Sequence, residues 1–461
     1  MTQSVVVQVG QCGNQIGCRF WDLALQEYAR FNKTGLYDDA AGTFFHAADS
    51  RSGDGVYCVQ DGTIRQLKAR AVLLDTEEGV IGGIRRGPLR GLFDSTQILT
   101  GVSGAGNNWA SGHLHYGVTY TDKIVDQVRR AAEDCDSLQS FFLLHSTGGG
   151  TGSGLGTKVL GLLKDEFPEA CRIVVPVFPS AEDDDVVVSP YNSLLAAREL
   201  TEHADCVALV GNRSLLDILN VGAKCHGAPA GVNLKRARKS PTGSERPFDA
   251  MNNIVADMLL DMTASARFEG SLNMDLSEIA TNLVPFPRLH YLVPSVSPVV
   301  PSRGLDQLFG DAFAKGRQLI RADPKRGLHL ACALMLRGDV RVSDLRRNIQ
   351  RFKPLLRFAP WNPEGWKTSL CSAPPVDRSR SLLALANTTG VKSTFADLSA
   401  RFANLYRKKA YLHHYLQVQG MEQSFFAEAL SSLRSLIEEY RRLDADAAEL
   451  TPAAARLNVA R

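Results

Sequence analysis

The segment that most constrains the fold is Phe141–Thr157, FFLLHSTGGGTGSGLGT, where an apolar run gives way to six glycines. This pattern predicts a buried strand, a glycine-rich loop and then a helix. Glycine lets the backbone approach an anion closely, and the free N–H groups of a helix's first turn point at that anion. The segment therefore predicts a phosphate-binding loop, with a flexible turn that holds no ligand as the plain alternative.

The spacing of these glycines excludes two common phosphate-binding motifs. A P-loop requires GxxxxGK[ST], but Lys158 follows Thr157 rather than a glycine. The dinucleotide fingerprint GxGxxG does not fit at any glycine of the loop. If the loop holds a phosphate, it therefore does so with a motif of another type.

Composition and charge exclude several classes of protein. The formal net charge is only +3 over 461 residues, so we expect neither nucleic acid nor a membrane as partner. The N-terminus lacks the pattern of a signal peptide, and no stretch approaches the ~20 apolar residues of a membrane helix. The nine cysteines are scattered without a CxxC pair, which favours reduced cysteines in a cytosolic protein over a metal site.

The first half of the chain alternates strand and helix patterns. The predicted strands there are Ser4–Val9, Ala69–Leu74, Phe141–His145, Ile173–Phe178 and Asp205–Val210. The helical patterns between and after them are Gln11–Tyr28, Thr121–Cys135, Leu155–Phe167 and Asn192–His203. We therefore predict an α/β fold with a parallel sheet and helices on both faces.

The second half begins after a basic segment, Val221–Arg246, which carries six basic residues against one acid. We interpret it as an exposed loop, either simply solvated or a docking element for an acidic partner. A long helix, Phe248–Ser265, follows it. The domain boundaries we predict are 1–246 for nucleotide binding, 247–392 for the long helix and a smaller α/β domain, 393–443 for C-terminal helices, and 444–461 for a disordered tail.

Three further loops follow predicted strands in the first half. They are Val9–Gly17, Leu73–Gly79 with Asp75 and Glu77, and Ser103–His113. Ligands of open α/β sheets bind beyond the carboxyl ends of the strands, so we expect these loops and the glycine loop to meet in one crevice. A carboxylate beside phosphates suggests Mg²⁺ held partly through water.

Together these loops resemble those of the tubulin family. GGGTGSG is the family's signature loop, and QCGNQIG, SGAGNNWASGH, SPYNS and LVPFPRLH occur in the order and at the distances that the family shows. The resemblance covers nearly the whole chain. WNPEGWKTSLC and HHYLQVQGM are most similar to the ε members of the family. The bacterial relative FtsZ shares the glycine loop but is shorter and lacks the paired C-terminal helices.

The resemblance implies a GTPase domain of tubulin/FtsZ type, a central helix, a second smaller α/β domain and C-terminal surface helices. It implies GTP or GDP with Mg²⁺ as cofactors. The partners implied are other tubulins, either δ-tubulin or αβ-tubulin, and centriolar proteins. The implied location is the cytoplasm and cytoskeleton, at the centrosome, centriole or basal body.

The resemblance also assigns roles to single residues. Those expected to lie against the nucleotide or to wrap its phosphates are Gln11, Cys12, Ala105, Gly106, Asn107, Ser146, Gly149, Gly150, Thr151 and Gly152. Glu77 would reach Mg²⁺, with Asp75 acting through water.

At the other end of the nucleotide, Asp185 would meet the ribose. Asn212 and Asn252 would read the guanine edge, for which side-chain amides offer both a donor and an acceptor. Phe248 would stack on the base. From the residues alone, the two asparagines are equally well explained as helix-surface or capping residues.

Glu278, in the segment NMDLSE, has a role in a neighbouring subunit under this resemblance. It occupies the position where α-tubulin has an acidic residue that polarises the attacking water. A carboxylate there would contribute about 10²–10⁴-fold to hydrolysis. Without the resemblance, an acid at a helix start is more simply a helix-dipole partner worth a fraction of a kcal/mol.

The sequence departs from α- and β-tubulin at four places. Ser189 replaces a ribose-facing glutamate, and the basic loop is an insertion. Pro294–Arg303 is a short segment where a long loop for side-to-side contacts is expected, which argues against ordinary lateral packing. The long acidic tail is missing, so motor binding is not implied.

Two alternatives to a self-assembling GTPase stay open. The first is a structural adaptor that binds GTP permanently, never hydrolyses it, and caps or templates microtubules. The second is a metabolic enzyme, which the absence of a His/Asp/Ser or Cys/His constellation around the loops disfavours.

Overall fold

The computed structural model describes residues 2–33, 38–47, 67–180, 184–225, 248–297, 304–324 and 327–449. In chain order the strands are β1 Gln3–Val9, β2 Phe45–Ala47, β3 Leu67–Ala69, β4 Ala71–Asp75, β5 Ile98–Thr100, β6 Leu138–Ser146, β7 Cys171–Phe178, β8 Cys206–Ala208, β9 Val210–Gly211, β10 Tyr291–Val296, β11 Leu328–Gly338, β12 Arg357–Phe358, β13 Trp366–Cys371 and β14 Arg380–Thr388. The helices are α1 Gly10–Phe31, α2 Asp39–Gly42, α3 Gly79–Arg86, α4 Gly117–Thr119, α5 Thr121–Glu133, α6 Gly156–Glu166, α7 Ser189–His203, α8 Asn212–Cys225, α9 Asp249–Met262, α10 Ala264–Arg267, α11 Leu276–Leu283, α12 Leu305–Ala312, α13 Val342–Phe352, α14 Lys392–Arg407, α15 Leu412–Leu416 and α16 Gln423–Glu449.

One mixed sheet runs through both halves of the described chain. Its main path is β12-β11-β14-β10-β8-β7-β6-β1-β4-β5, with β13 beside β11 and β9 beside β7. The strands that the first half contributes to this sheet pair in parallel, whereas β14 is antiparallel to both β10 and β11. Strands β2 and β3 form a separate antiparallel pair. The parallel pairing of β10 with β8 joins the two halves. The predicted α/β class with a parallel N-terminal sheet is confirmed.

Strand β1 is buried on both faces. Val5 and Val7 belong to the core layer that also contains residues of α5, α6 and α7. Val6 belongs to the opposite layer, with residues of α1 and α9. Because helices cover both faces of the sheet, a ligand can reach it only at the ends of the strands, where the loops lie.

The C-terminal helices pack on the outside of α7. The ring of Tyr191 lies 5.5 Å from that of Phe402 on α14 and 5.3 Å from that of Phe426 on α16. Helix α16 continues to Glu449, so residues 444–449 are helical rather than part of a disordered tail. The physical reason is tertiary: Ala447 is buried in a cluster with Leu328.

Two other predicted loops begin as regular structure. Val221–Cys225 continue α8, and Pro294–Val296 complete β10. Residues 226–246 of the basic segment, residues 298–303 and residues 450–461 lie outside the described part of the chain. Within the described residues, no helix has the length and apolar character needed to cross a membrane.

Candidate nucleotide site

The loops that follow β1, β4, β5 and β6 surround one cleft of about 820 Å³. These four strands are parallel neighbours, so their carboxyl ends meet at the same edge of the sheet. The volume falls in the roughly 300–1,000 Å³ range typical of small-molecule sites. The predicted convergence of the four loops on one crevice is therefore confirmed.

The close packing of these loops requires glycine at Gly10 and Gly150. Gly10 begins α1 directly at the end of β1 with φ +72°, in the left-handed region that strains other residues. A Cβ on Gly10 would lie 3.1 Å from the backbone nitrogen of Gly152. A Cβ on Gly150 would lie 2.6 Å from the backbone nitrogen of Asn108. Any side chain here would push the loops apart, and their N–H groups would move away from the cleft.

Two helices start at the floor of this cleft. Helix α1 has no side chain capping its N-terminus, so the N–H groups of its first turn are not used by a cap. The glycine loop leads into a π-helical turn, Thr151–Leu155, before α6 begins. Helix starts of this kind favour an anion, because both the N–H groups and the helix dipole attract negative charge.

Most of the residues that the sequence assigned to a nucleotide line this one cleft. They are Gln11, Cys12, Asp75, Glu77, Ala105, Gly106, Asn107, Ser146, Gly149, Gly150, Thr151, Gly152, Asn212, Phe248 and Asn252. Asp185 does not line it. Glu278, which is expected to act on the nucleotide of a neighbouring subunit, lies elsewhere.

At the predicted ribose position, the structure replaces Asp185 with Asp184. Asp185 is exposed, whereas Asp184 lines the cleft. The Asp184 carboxylate accepts hydrogen bonds from the Ser189 hydroxyl and from the backbone N–H of Val186, which fix its direction. Ser189 therefore serves as a support for the neighbouring aspartate. The family resemblance indicated an aspartate for this site, but the sequence did not reveal whether Asp184 or Asp185 faces the cleft.

The acidic side of the cleft combines Asp75 and Glu77. Asp75 is only 5% exposed, and burial raises the pKa of its carboxyl to about 6. No ion pair of Asp75 is present within the described residues. A buried carboxylate without a cation beside it, close to a second carboxylate, suits a hard divalent ion such as Mg²⁺. The hydroxyls of Thr76 and Thr151 meet at 2.6 Å, which joins this side to the glycine loop.

The opposite end of the cleft suits a planar base. Phe248 precedes α9 and is 47% exposed, so its ring offers an apolar face. Asn252 lies one turn further on and is buried, yet its Nδ2 has no hydrogen-bond partner among the described residues. A buried donor without a partner is costly, so this end of the cleft fits a ligand that brings an acceptor.

The two histidines near the loops have packing roles. His113 stacks on Trp109 with 4.3 Å between the ring centroids. His145 is fully buried, with Nδ1 3.1 Å from the Ser146 carbonyl oxygen. Burial lowers the pKa of both imidazoles to about 4, so both are neutral at pH 7. This arrangement disfavours acid–base chemistry by either histidine.

Glu278 lies on another surface, at the start of α11. Its carboxylate forms an ion pair with Lys367 on β13 and completes a capping box with Asp275. The bond from Lys367, more than any other factor, lowers the pKa of Glu278. Phe286 lies a few residues after α11, and Trp361 a few residues before Lys367. Their partly exposed rings pack against each other, with 5.5 Å between the ring centroids. We call these four residues, Glu278, Phe286, Trp361 and Lys367, the Glu278 surface.

Comparison with known proteins gives a consistent result over the whole chain. The profile of the Tubulin/FtsZ family, GTPase domain, matches residues 3–220, and that of the Tubulin C-terminal domain matches residues 287–400. The chain is 58% identical to the Tubulin epsilon chain of Mus musculus over 476 aligned positions, with both chains covered completely. It is 59% identical to the Tubulin epsilon chain of Homo sapiens, covering 96% of this chain and 97% of the relative. Identity to the Tubulin beta-3 chain of Zea mays is 35%, with 97% of each chain covered.

Proposed function

The chain belongs to the tubulin family and is similar to epsilon chains along its length, and from this we propose that it is a GTP-binding protein of centriolar and basal-body microtubules. GTP or GDP would occupy the cleft, and hydrolysis would be completed where one subunit meets the next. The observation that carries the proposal is a cleft in which four strand-end loops and three carboxylates meet a buried amide nitrogen that has no hydrogen-bond partner among the described residues.

In this proposal the nucleotide lies with its phosphates over the glycine loop and the start of α1. Ala105, Gly106 and Asn107 close over the terminal phosphate. Glu77 and Asp75 hold Mg²⁺, which would neutralise phosphate charge. Asp184 takes the ribose contact that the sequence assigned to its neighbour.

The guanine end of the proposal rests on three side chains. Phe248 stacks on the base, while Asn212 and Asn252 bond its edge. The Nδ2 of Asn252 would gain the acceptor that it lacks in the described chain. Because a ligand that binds only the folded state stabilises it, GTP at a hundred times its dissociation constant should add about 2.7 kcal/mol to the unfolding free energy.

The Glu278 surface is the proposed contact with the next tubulin. The segments 276–286 and 361–367 lie side by side, joined by the Glu278–Lys367 pair and by the Phe286–Trp361 contact. The two rings are 40% and 49% exposed, and such aromatic pairs are typical of protein interfaces. The partner would be another copy, δ-tubulin or αβ-tubulin, with centriolar proteins bound to the assembly in the cytoplasm.

One observation favours the non-hydrolysing adaptor as second candidate. Both carboxylate oxygens of Glu278 are already engaged, Oε2 by Lys367 and Oε1 by the backbone N–H of Asp275 at 3.5 Å. If that arrangement persists in the assembly, GTP would stay bound and unhydrolysed, and the protein would cap or template a polymer.

The experiment that separates the two is GTP turnover per subunit as a function of protein concentration. Glu278→Ala removes both the charge and the cap, whereas Glu278→Gln removes the charge and keeps a side chain able to complete the capping box. Asp306→Ala is the matched control, because Asp306 also lies in the first turn of a helix, α12, and forms an exposed pair with Arg347 outside the Glu278 surface.

For an interface GTPase, turnover rises with concentration in the wild type and in Asp306→Ala, and is lost in both Glu278 variants while nucleotide binding persists. Turnover that stays near zero at every concentration with GTP bound supports the adaptor. Unchanged turnover in the Glu278 variants contradicts the role of this carboxylate.

A further inference from the structure

Asn192, near the start of α7, occupies the point where two loops of the cleft meet the C-terminal helices. Its side chain is fully buried. The Nδ2 donates to the carbonyl oxygens of Asn107 at 2.8 Å and Gly148 at 2.7 Å. The Oδ1 accepts from the backbone N–H of Trp109 at 2.9 Å and from the hydroxyl of Tyr415 at 2.6 Å. All four hydrogen bonds that a side-chain amide can make are therefore made.

Three of these bonds fix the phosphate side of the cleft. Asn107 and Trp109 belong to the loop 101–109, and Gly148 belongs to the glycine loop. The same amide therefore sets the position of one loop relative to the other. Asn107 also has φ +53°, a left-handed conformation that asparagine adopts more readily than other non-glycine residues.

The fourth bond leads to a segment that we call the connector, residues 408–422 between α14 and α16. Tyr415 is only 1% exposed. Two further bonds attach the connector to the same region: Asn108 Nδ2 donates to the carbonyl oxygen of His414 at 2.9 Å, and the Tyr191 hydroxyl donates to that of Ala410 at 2.8 Å. Both loop 101–109 and helix α7 thus hold the connector.

The outer side of the connector faces solvent. Lys408, Lys409, Tyr411, His413 and His414 are all exposed. Any shift of loop 101–109 therefore moves, through Asn192, Asn108 and Tyr415, a surface that other molecules can reach.

We propose that Asn192 is a positioning residue that holds the two phosphate-facing loops together and, through Tyr415, couples their position to the connector. This inference rests on the proposed nucleotide site. A terminal phosphate that orders loop 101–109 would then order the connector as well. By thermodynamic linkage, a partner that binds the connector would shift the preference of the cleft between GTP and GDP by the same factor.

The test uses Tyr415→Phe, which removes one hydroxyl and keeps the ring that packs between the helices. The control is Tyr291→Phe. The hydroxyl of Tyr291 is also buried and also bonded to α7, at Thr201 and Ala197, but among the described residues it forms no hydrogen bond with either loop. Two quantities are measured for the full chain: the dissociation constants of GTP and GDP, and amide hydrogen exchange of the connector with each nucleotide.

In the wild type and in Tyr291→Phe, we expect the connector to exchange more slowly with GTP than with GDP. In Tyr415→Phe this difference disappears, and the ratio of the two dissociation constants falls by about fivefold. A merely structural hydrogen bond would lower protection equally with both nucleotides.

A nucleotide-dependent difference that persists in Tyr415→Phe overturns the inference while leaving the proposed nucleotide site intact. A wild type that binds neither nucleotide overturns the site and the inference together.

Discussion

Glu278 and Lys367, 89 positions apart in the chain, form an ion pair that fixes a carboxylate outside the subunit's own cleft. The pair lowers the pKa of Glu278 chiefly through the bond that Lys367 donates. Because the folded-state pKa is depressed, the charged form is favoured at neutral pH, and this advantage is lost only as the pH falls through the lowered pKa. The same lysine thus stabilises the charged carboxylate. It also competes with water for a hydrogen bond to that carboxylate.

The first prediction concerns Lys367→Met. Removing the ammonium raises the pKa of Glu278. The fall in GTP turnover of the assembled protein at low pH should therefore begin at a higher pH. Turnover at neutral pH should stay equal or increase, since one competitor for the carboxylate is gone. The measurement is turnover per subunit against pH at saturating GTP. Arg347→Met, which breaks the exposed pair with Asp306, should leave the profile in place, and an identical acidic limb in Lys367→Met would refute the link.

The second prediction follows from Asp75, whose carboxyl has a pKa raised to about 6 by burial. Below that pH the group is protonated and cannot bind a cation. The affinity for GTP in the presence of Mg²⁺ should therefore fall as the pH drops through 6, and Mg²⁺ binding near that pH should release a proton. Titrations of GTP on either side of that pH, with Mg²⁺ or with EDTA, measure the effect.

Asp75→Asn should remove this pH dependence and leave the EDTA titration almost unchanged. The raised pKa has the opposite consequence for the free protein. Ionising a buried carboxyl costs free energy, so without metal the wild type should lose stability relative to Asp75→Asn as the pH rises from about 4, the usual pKa of an aspartate, to about 6, with no further loss above that pH. Equal pH dependence in both proteins would mean that Asp75 does not hold the metal.

The local features of the fold were predictable from the sequence, because they depend on neighbouring residues. The glycine loop follows β6 because an apolar run and a glycine run are adjacent in the chain. The choice between Asp184 and Asp185 was not predictable, since it depends on the Ser189 hydroxyl and on the direction of the turn before α7. Likewise, α16 extends to Glu449 because Ala447 is buried beside Leu328, which is more than a hundred positions away in the sequence.

The side chains that line the cleft were predictable from the sequence, whereas the residues that hold them in position were not. The SPYNS segment belongs to the family pattern. However, no residue near Asn192 in the sequence indicates that its side chain forms hydrogen bonds with two loops and with Tyr415. Partners far apart in sequence are set by tertiary packing. The resemblance to a family predicted which residues line the cleft. The hydrogen bonds that join those residues to one another are seen only in the structure.

The third prediction concerns a buried ion network between the two halves of the chain. Glu27 on α1 contacts Arg267 at 2.7 Å and Arg337 on β11 at 2.8 Å, and Arg337 also contacts Asp261 on α9 at 3.3 Å. Burial alone would raise the pKa of Glu27, but the two arginines outweigh it, and the pKa is lowered. Removing one partner of such a network leaves buried charges uncompensated.

Glu27→Gln should therefore lower the free energy of unfolding by about 3–5 kcal/mol. Chemical denaturation at neutral pH measures this. Because the pKa of Glu27 is depressed, the difference from wild type should shrink as the pH falls through that lowered value. Asp306→Asn, which breaks an exposed pair with Arg347, should change stability little. A loss of similar size in both variants would show that burial is not the cause.

The fourth prediction concerns the aromatic pair of the Glu278 surface. Phe286→Ser or Trp361→Ser should weaken the association of subunits by about 2 kcal/mol or more, if the rings are central contacts. Folding should be affected less than association, because the two rings are already 40% and 49% exposed in the single chain. Sedimentation measures the association, and turnover against concentration should shift to higher concentration in parallel. Phe31→Ser is the matched control, since Phe31 is 41% exposed and forms an aromatic pair with Phe268 at 5.0 Å. An equal loss of association in the control would assign the effect to general surface apolarity and would exclude the Glu278 surface as the specific contact.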